Sequence, residues 1–328
     1  MAVPLSVLDL AHIRSSETAA DSFASSVRMA QRAEEWGYRR IWYAEHHNMP
    51  IASSATSVLM AHVAAHTSSI RIGSGGIMLP NHAPLTIAEQ FGTLAELHPG
   101  RIDLGLGRAP GTDQNTMRAL RRDPSAAERF QHDVVELQGF LGDESPIPGI
   151  TAVPGRGTHV PLHILGSSLF GAKLAAALGL PYAFASHFAP DALQEAVETY
   201  RAEFRPSEQL PEPHVIAGLN VIAADSAEHA QDQFQAAKRA RVRQMSGRRL
   251  SREQADEILA GPPGLQVQHM MKYSGVGTAE EVGQYLDWFA EQARADELMV
   301  VSSAPDRDAW LRSLELVAEV RGPAPAQS

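Results

Sequence analysis

The sequence predicts an α/β chain folded as a closed (β/α)8 barrel, a single domain with excursions outside the barrel. Three observations carry that expectation. Eight short runs rich in Val, Ile, Leu and Gly alternate with segments of helical apolar spacing, the order a parallel sheet needs. One unit shows this plainly: runs 70–79 and 101–106 flank 84–97, where Leu85, Ala88, Phe91, Leu94 and Ala95 fall at helical spacing. Finally, no set of three spaced glycines opens a helix near the start, which disfavours a doubly wound dinucleotide-binding sheet.

In chain order, residues 4–10 are the first strand and 12–22 a loop. Asp21 or Ser22 is the expected cap of a helix carrying Phe23, Val27, Ala30 and Ala33, and Gly37 ends it. The second strand, 40–44, runs into Glu45-His46-His47. Ser53 or Ser54 is the expected cap of a helix with Val58, Leu59, Ala61 and Ala65 in its apolar face. After the 70–107 unit, 108–125 reads as a polar loop and 130–141 as a helix. Residues 142–160, rich in Pro and Gly, read as a surface excursion with room for a small hairpin. The fifth strand is 162–165, its helix 168–178, stopped by Gly179. The sixth is 182–186, followed by a helix over 191–204. The seventh is 215–223, with a helix from Ser226 to about 245. A second excursion, near 245–276, reads as helix and loop. Thr278 and Glu281 form a capping box for a helix to 293. The eighth strand is 298–302 and the closing helix 306–320. The barrel domain is expected over 1–321, with 322–328 a flexible tail.

A chain of 328 residues with 44 % hydrophobic content can bury a large core. Its net charge of −10 disfavours a nucleic-acid partner, which needs an extended basic surface. There are no cysteines, hence no disulfides, thiolate metal sites or cysteine nucleophiles. No membrane-length apolar stretch and no signal-peptide pattern are seen, so the expectation is a cytoplasmic protein.

In a barrel of this kind the active site lies at the carboxyl ends of the strands. That rule gathers Glu45, His46, His47, Gly75, Gly76, Asn81, His82, Arg108, Ser167, His187 and Phe188 at one mouth. The adjacent histidines read as a proton-transfer group or as polar strand ends; with no further ligand at clear spacing, no metal is expected. Glycines 75 and 76 weaken a strand unless a ring or another backbone approaches them closely. Arg108 offers a fork for phosphate or for an anionic ring edge, or else a salt bridge to Glu45 or Asp113. Gly166, Ser167 and Ser168 open a helix whose N–H groups suit one phosphate. No diphosphate motif accompanies them, which favours a mononucleotide such as FMN. His187 and Phe188, with His47 and His82, are candidates for the substrate pocket. The arginines at 239, 241, 243, 248 and 249 are a solvated face or a clamp for a second phosphate. Glu45 and Asp113 form the one convenient carboxylate pair for a hydrolase.

Ala44-Glu45-His46-His47, Gly73-Ser74-Gly75-Gly76, the segment 79–84 and Gly100 to Arg108 together resemble the bacterial-luciferase-like monooxygenases, flavin-dependent or deazaflavin-dependent TIM-barrel enzymes. The resemblance spans about 5–302 and is weakest over 239–273. It implies that His46 faces flavin and substrate and assists proton transfer. It implies a non-proline cis peptide at Gly75-Gly76 beneath the flavin ring, with Arg108 near flavin and phosphate. The expected activity is a monooxygenase taking reduced FMN and molecular oxygen to a small organic substrate. A separate flavin reductase and a homodimer are the expected partners. The alternatives are a hydride-transfer enzyme using the deazaflavin F420 and a non-enzymatic flavin-binding protein.

Overall fold

The computed structural model describes residues 2–109 and 111–321; the expected tail at 322–328 lies outside the described residues. Strands β1 (Leu5–Asp9), β2 (Arg40–Tyr43), β3 (Arg71–Ser74) with its continuation β4 (Ile77–Met78), β5 (Ile102–Gly107), β6 (Leu162–Gly166), β7 (Tyr182–Phe184) and β8 (Val215–Ala223) pair in parallel in that order. After a short β9 (Ser274–Gly277), β10 (Glu297–Ser302) pairs with both β8 and β1 and closes the ring. β9 lies outside the ring, paired with the last residues of β8. The barrel is the fold that the alternation predicts.

Strand parity decides what fills the interior. Val7, Ile41, Ile72, Leu104, Ile164, Ala217 and Val300 point outward and join the main core beneath the helices. Leu8, Trp42, Ala183, Ile216, Met299 and Val301 point inward as a separate apolar cluster. Below it, Arg40 donates to Asp103 at 2.7 Å and pairs with Glu297 at 2.9 Å. The Trp42 indole N–H reaches Asp103 at 3.3 Å. Burial is the largest single influence and raises both carboxylates, but Arg40 with His163 and Arg71 at Asp103, and Arg40 with His214 and Arg39 at Glu297, together outweigh it, bringing Glu297 to about 2 and Asp103 well below the usual carboxylate range. Removing one partner of such a buried pair costs about 3–5 kcal/mol.

Two of the expected caps are displaced. Helix α1 (Ala19–Glu35) starts on Thr18, which forms a capping box with Asp21. Reciprocal bonds at this spacing satisfy two backbone donors, where a lone Asp21 or Ser22 cap satisfies one. Ser22 instead donates to the His12 carbonyl, and Ser26 to Asp9. Helix α2 (Thr56–Ala64) begins at Ala55 with no side-chain cap, and neither Ser53 nor Ser54 serves. Its buried face is Thr56, Leu59, Met60, Val63 and Ala64, leaving Val58 and Ala65 exposed. The inward face is rotated from the predicted one because the pair Leu59-Met60 repeats four residues on.

Helix α3 (Pro84–Leu97) matches its prediction. The polar loop after β5 holds a short α4 (Gln114–Ala119), capped by Asp113, and a 3-10 segment at Pro124–Arg129 before α5 (Phe130–Leu141). The 142–160 excursion contains no hairpin. It packs so tightly on α3 that a Cβ on Gly92 would lie 2.2 Å from Gly155 Cα. Helix α6 (Leu169–Leu178) ends on Gly179 at φ 64°, as its sequence requires. Then come α7 (Leu193–Glu203), α8 (Ala227–Ser246), α9 (Arg252–Ala260) and α10 (Pro262–Met270), followed by β9. The second excursion thus ends in a strand, not a loop; half of that strand is glycine, so its pattern was silent. Ile222, Ala224, Ala230, Ala237, Val242, Val267 and Met271 give it a core of its own. Helices α11 (Ala279–Gln292), with its capping box at Thr278, and α12 (Arg307–Arg321) complete the wall. Among the described residues no helix is long and apolar enough to cross a membrane.

Candidate active site

At the carboxyl ends of the strands, Glu45 organises the candidate residues. It is 1 % exposed. Its carboxylate accepts from the Met78 N–H at 3.0 Å and from Asn81 Nδ2 at 3.3 Å; His47 Nε2 lies 2.8 Å away and His82 Nε2 2.9 Å. These bonds tie the end of β2 to β4 and to the turn at Leu79–Asn81. Burial acts to raise the carboxyl, yet the bonds from His47 and His82 hold it at about 2. His47 and His82, read from sequence as pocket residues, are turned onto Glu45. Neither of the salt bridges considered for Arg108 is formed. Asp113 accepts instead from Asn48 at 2.8 Å and caps α4. Glu45 and Asp113 are therefore not a carboxylate pair facing a substrate.

The Gly75-Gly76 peptide is cis. Its glycines are explained by packing from below. A Cβ on Gly75 would meet Leu8 Cδ1 at 2.7 Å and Trp42 Cβ at 3.0 Å. On Gly76 it would meet the Gly105 carbonyl oxygen at 2.7 Å. The Gly75 N–H donates to Tyr43, and Gly76 accepts from the Glu45 N–H.

Three histidines surround the opening. His46, after β2, has a buried Nδ1 without a hydrogen-bond partner. His187, after β7, has another, seated 2.6 Å from where a Cβ on Gly218 would stand, so only glycine leaves it room. His12, after β1, has accessible surface, yet desolvation lowers its pKa to about 4, as expected in a concave recess. Burial likewise lowers His46 below its ordinary value and His187 to about 3. All three are neutral at pH 7, able to donate or accept a proton. Phe188 stands edge-on to His187 at a centroid distance of 4.9 Å and is exposed. His12 was missed from sequence because its strand ends without a motif.

Arg108, at the end of β5, lies over the ring of Phe170 at 4.2 Å. Phe170 belongs to the first turn of α6, so the guanidinium stands beside the start of that helix. There Ser168 is the N-cap but makes no side-chain cap bond, and Ser167 precedes it. Fixed positive charge, helix N–H groups and hydroxyls thus occupy one place, a suitable cradle for a monophosphate. The unpartnered nitrogens of His46 and His187 add polar atoms awaiting a partner. The residues fit a flavin mononucleotide. Phe170 was missed from sequence: an aromatic in a helix as apolar as α6 reads as core.

Comparison with known proteins agrees. Residues 3–297 match the family described as luciferase-like monooxygenase. The luciferase-like monooxygenase of Escherichia coli (strain K12) is 46 % identical over 325 residues, covering 97 % of each chain. The crystal structure of apo-MsnO8 superposes with a TM-score of 0.90 at 36 % identity, covering 99 % of this chain and 100 % of that one. An FMN complex of the oxygenating constituent of 3,6-diketocamphane monooxygenase from Pseudomonas putida shares the fold at 16 % identity. Its TM-score is 0.75 and it covers 97 % of each chain.

Proposed function

Because the chain belongs to the luciferase-like monooxygenase family and is a flavin-dependent oxidoreductase, we propose that it is an FMN-dependent monooxygenase inserting one oxygen atom into a small organic substrate. The observation that carries the site assignment is the Arg108–Phe170 contact, which sets a cation beside the uncapped start of α6. Gly166, Ser167, Ser168 and the first N–H groups of α6 hold the phosphate. Arg108 adds charge for the phosphate and for the anionic edge of the reduced ring. The surface at Gly75 and Gly76 lies beneath the ring. Reduced FMN, when bound, supplies the electrons with which one atom of molecular oxygen enters the substrate and the other leaves as water. His46 moves the proton, its neutral imidazole being suited to either direction. His187 and Phe188 wall the substrate space and exclude water.

The reading extends to a cytoplasmic homodimer fed by a separate flavin reductase. The chain lacks a dinucleotide fingerprint with which to take electrons from a nicotinamide itself. Val58 on α2 and Leu97 at the end of α3 are 68 % and 63 % exposed, apolar surface that a second copy would cover. The deazaflavin F420 is the competing cofactor; its polyglutamyl tail calls for an extended basic groove, for which the −10 charge gives no support.

Titrating the apo-protein in parallel with FMN, riboflavin and F420 tests the assignment. FMN binds best, and Ser167→Asp weakens FMN by about tenfold or more through like-charge repulsion while riboflavin is little affected. Equal loss for both ligands rejects the phosphate site. Tighter binding of F420 than FMN rejects the cofactor.

A further inference from the structure

We infer that His187 is a specificity-determining residue that offers its Nε2–H to a carbonyl oxygen of the substrate, and that Gly218 of β8 positions it. The inference rests on the flavin-enzyme reading above and names the substrate class, a neutral carbonyl compound.

The chain curls back on itself after β7. The N–H groups of Phe188 and Ala189 both donate to the Ala185 carbonyl, at 3.3 and 3.2 Å. Two side-chain bonds then fasten the curl to β8. Ser186 Oγ donates to the Gly218 carbonyl at 2.6 Å, and Asn220 Nδ2 donates to the His187 carbonyl at 2.7 Å. Both side chains are buried. The His187 ring itself lies against Gly218, where a Cβ would stand 2.6 Å from Nδ1 and 3.5 Å from Cε1. Strand parity places Gly218 and Asn220 on the side of Ile216, inside the barrel, because Ala217 and Leu219 belong to the outer core. The imidazole is therefore seated within the ring of strands, after the carboxyl end of β7. A molecule that meets it there comes through the mouth.

This seat decides which nitrogen carries the proton. Nδ1 is buried, with no hydrogen-bond partner in the protein. An orphaned buried N–H is rarer in folded proteins than an unpaired acceptor, so Nδ1 is the bare nitrogen and Nε2 holds the proton. Nε2 also lacks a protein partner, but it is not among the fully buried atoms and stays open to a ligand. Burial keeps the ring uncharged at pH 7, so it forms no ion pair with an acid and suits a neutral acceptor. A carbonyl oxygen accepts without bringing a donor of its own, whereas a hydroxyl group adds a proton that needs a further partner. The Phe188 ring, edge-on to His187 at 4.9 Å, makes the surroundings apolar, which strengthens a hydrogen bond made there.

The test uses FMN-loaded protein. Heteronuclear NMR on protein carrying isotope-labelled histidine, with the His187 signal identified by its loss in His187→Gln, shows the proton on Nε2 at pH 7. Cyclohexanone and its isostere methylenecyclohexane, which has no acceptor, are then titrated and followed through the visible spectrum of the flavin. Wild type binds the ketone about three- to tenfold tighter, the worth of one neutral hydrogen bond. His187→Leu abolishes the preference, and His187→Gln, which keeps an N–H near the position of Nε2, retains part of it. Gly218→Ala displaces the ring from its seat and also loses the preference. FMN affinity, measured by fluorescence, stays unchanged in all three. A proton on Nδ1, equal binding of the two probes by wild type, binding of neither, or a preference that survives His187→Leu overturns the inference. A loss of FMN affinity in His187→Leu matching the loss of ketone affinity assigns the N–H to the flavin and overturns it too. Failure of wild type to bind FMN overturns the flavin reading itself.

Discussion

The guanidinium of Arg108 lies 4.2 Å from the ring centroid of Phe170, and Phe170 is itself backed by Phe130 at 6.4 Å. The contact couples the end of β5 to the start of α6. Arg108→Ala therefore weakens FMN binding by about 10- to 100-fold, the loss of one charge-assisted interaction. Reduced FMN suffers more than oxidised FMN, because the permanent charge favours the anionic ring. Phe170→Leu removes the platform and gives a smaller loss, on the order of 1 kcal/mol. A double-mutant cycle on FMN affinity, read by fluorescence quenching, shows coupling between the two; strict additivity would show the ring to be irrelevant to Arg108.

His46, proposed above as the proton-transfer group, is held by burial below its ordinary value of 6.5. His46→Gln leaves FMN affinity nearly intact and slows substrate oxidation by about 100- to 10,000-fold, with hydrogen peroxide released instead. The acid limb of the wild-type rate profile, where the imidazole gains its proton, falls below pH 6.5 and is absent in the variant. Normal turnover by His46→Gln removes the histidine from the chemistry and leaves the enzyme class standing.

Glu45 makes the mouth sensitive to acid. Its folded pKa of about 2 lies below the ordinary 4.5. A depressed carboxylate stabilises the fold fully above the unfolded pKa, and that contribution fades as pH falls from 4.5 towards 2. Its size is about 3 kcal/mol. Glu45→Gln lowers the neutral-pH Tm by roughly 5–10 °C and flattens the pH dependence of stability in that window. Thermal melts at pH 7 and pH 3 measure both effects, and an equal Tm for the two proteins at each pH would show that the clamp contributes nothing.

Gly76 separates packing from ligand contact. Its Cβ would meet a backbone oxygen of Gly105, which cannot rotate away, whereas a Cβ on Gly75 meets the movable end of Leu8. Gly76→Ala destabilises the apo-protein by about 1–3 kcal/mol, and Gly75→Ala by less. Calorimetry without flavin decides the matter. An unchanged apo Tm with reduced FMN affinity would mean that the ring, not the protein, requires the glycine.

What the sequence determined by itself was local and periodic. The alternation of apolar runs with helical spacing gave the barrel, because each strand and helix declares its own period whatever it packs against. Thr278 with Glu281, and Gly179 at φ 64°, were legible because a cap is a bond between residues three or four apart. So was the grouping of His46, Gly75, Gly76, Arg108 and Ser167, since any barrel brings its strand ends to one mouth. Tertiary structure alone decided which way those side chains turn. His46 and His47 are adjacent in sequence, yet one faces the opening with an unpartnered nitrogen and the other is held by Glu45. Arg239, Arg241 and Arg243 look alike in the chain, and only the docking of α8 decides that the first pairs with Asp256, the second bonds Gln244 and the third holds the Leu250 carbonyl. Side-chain direction depends on partners tens to hundreds of residues away. Ring closure fixes those distances, and no local period encodes them.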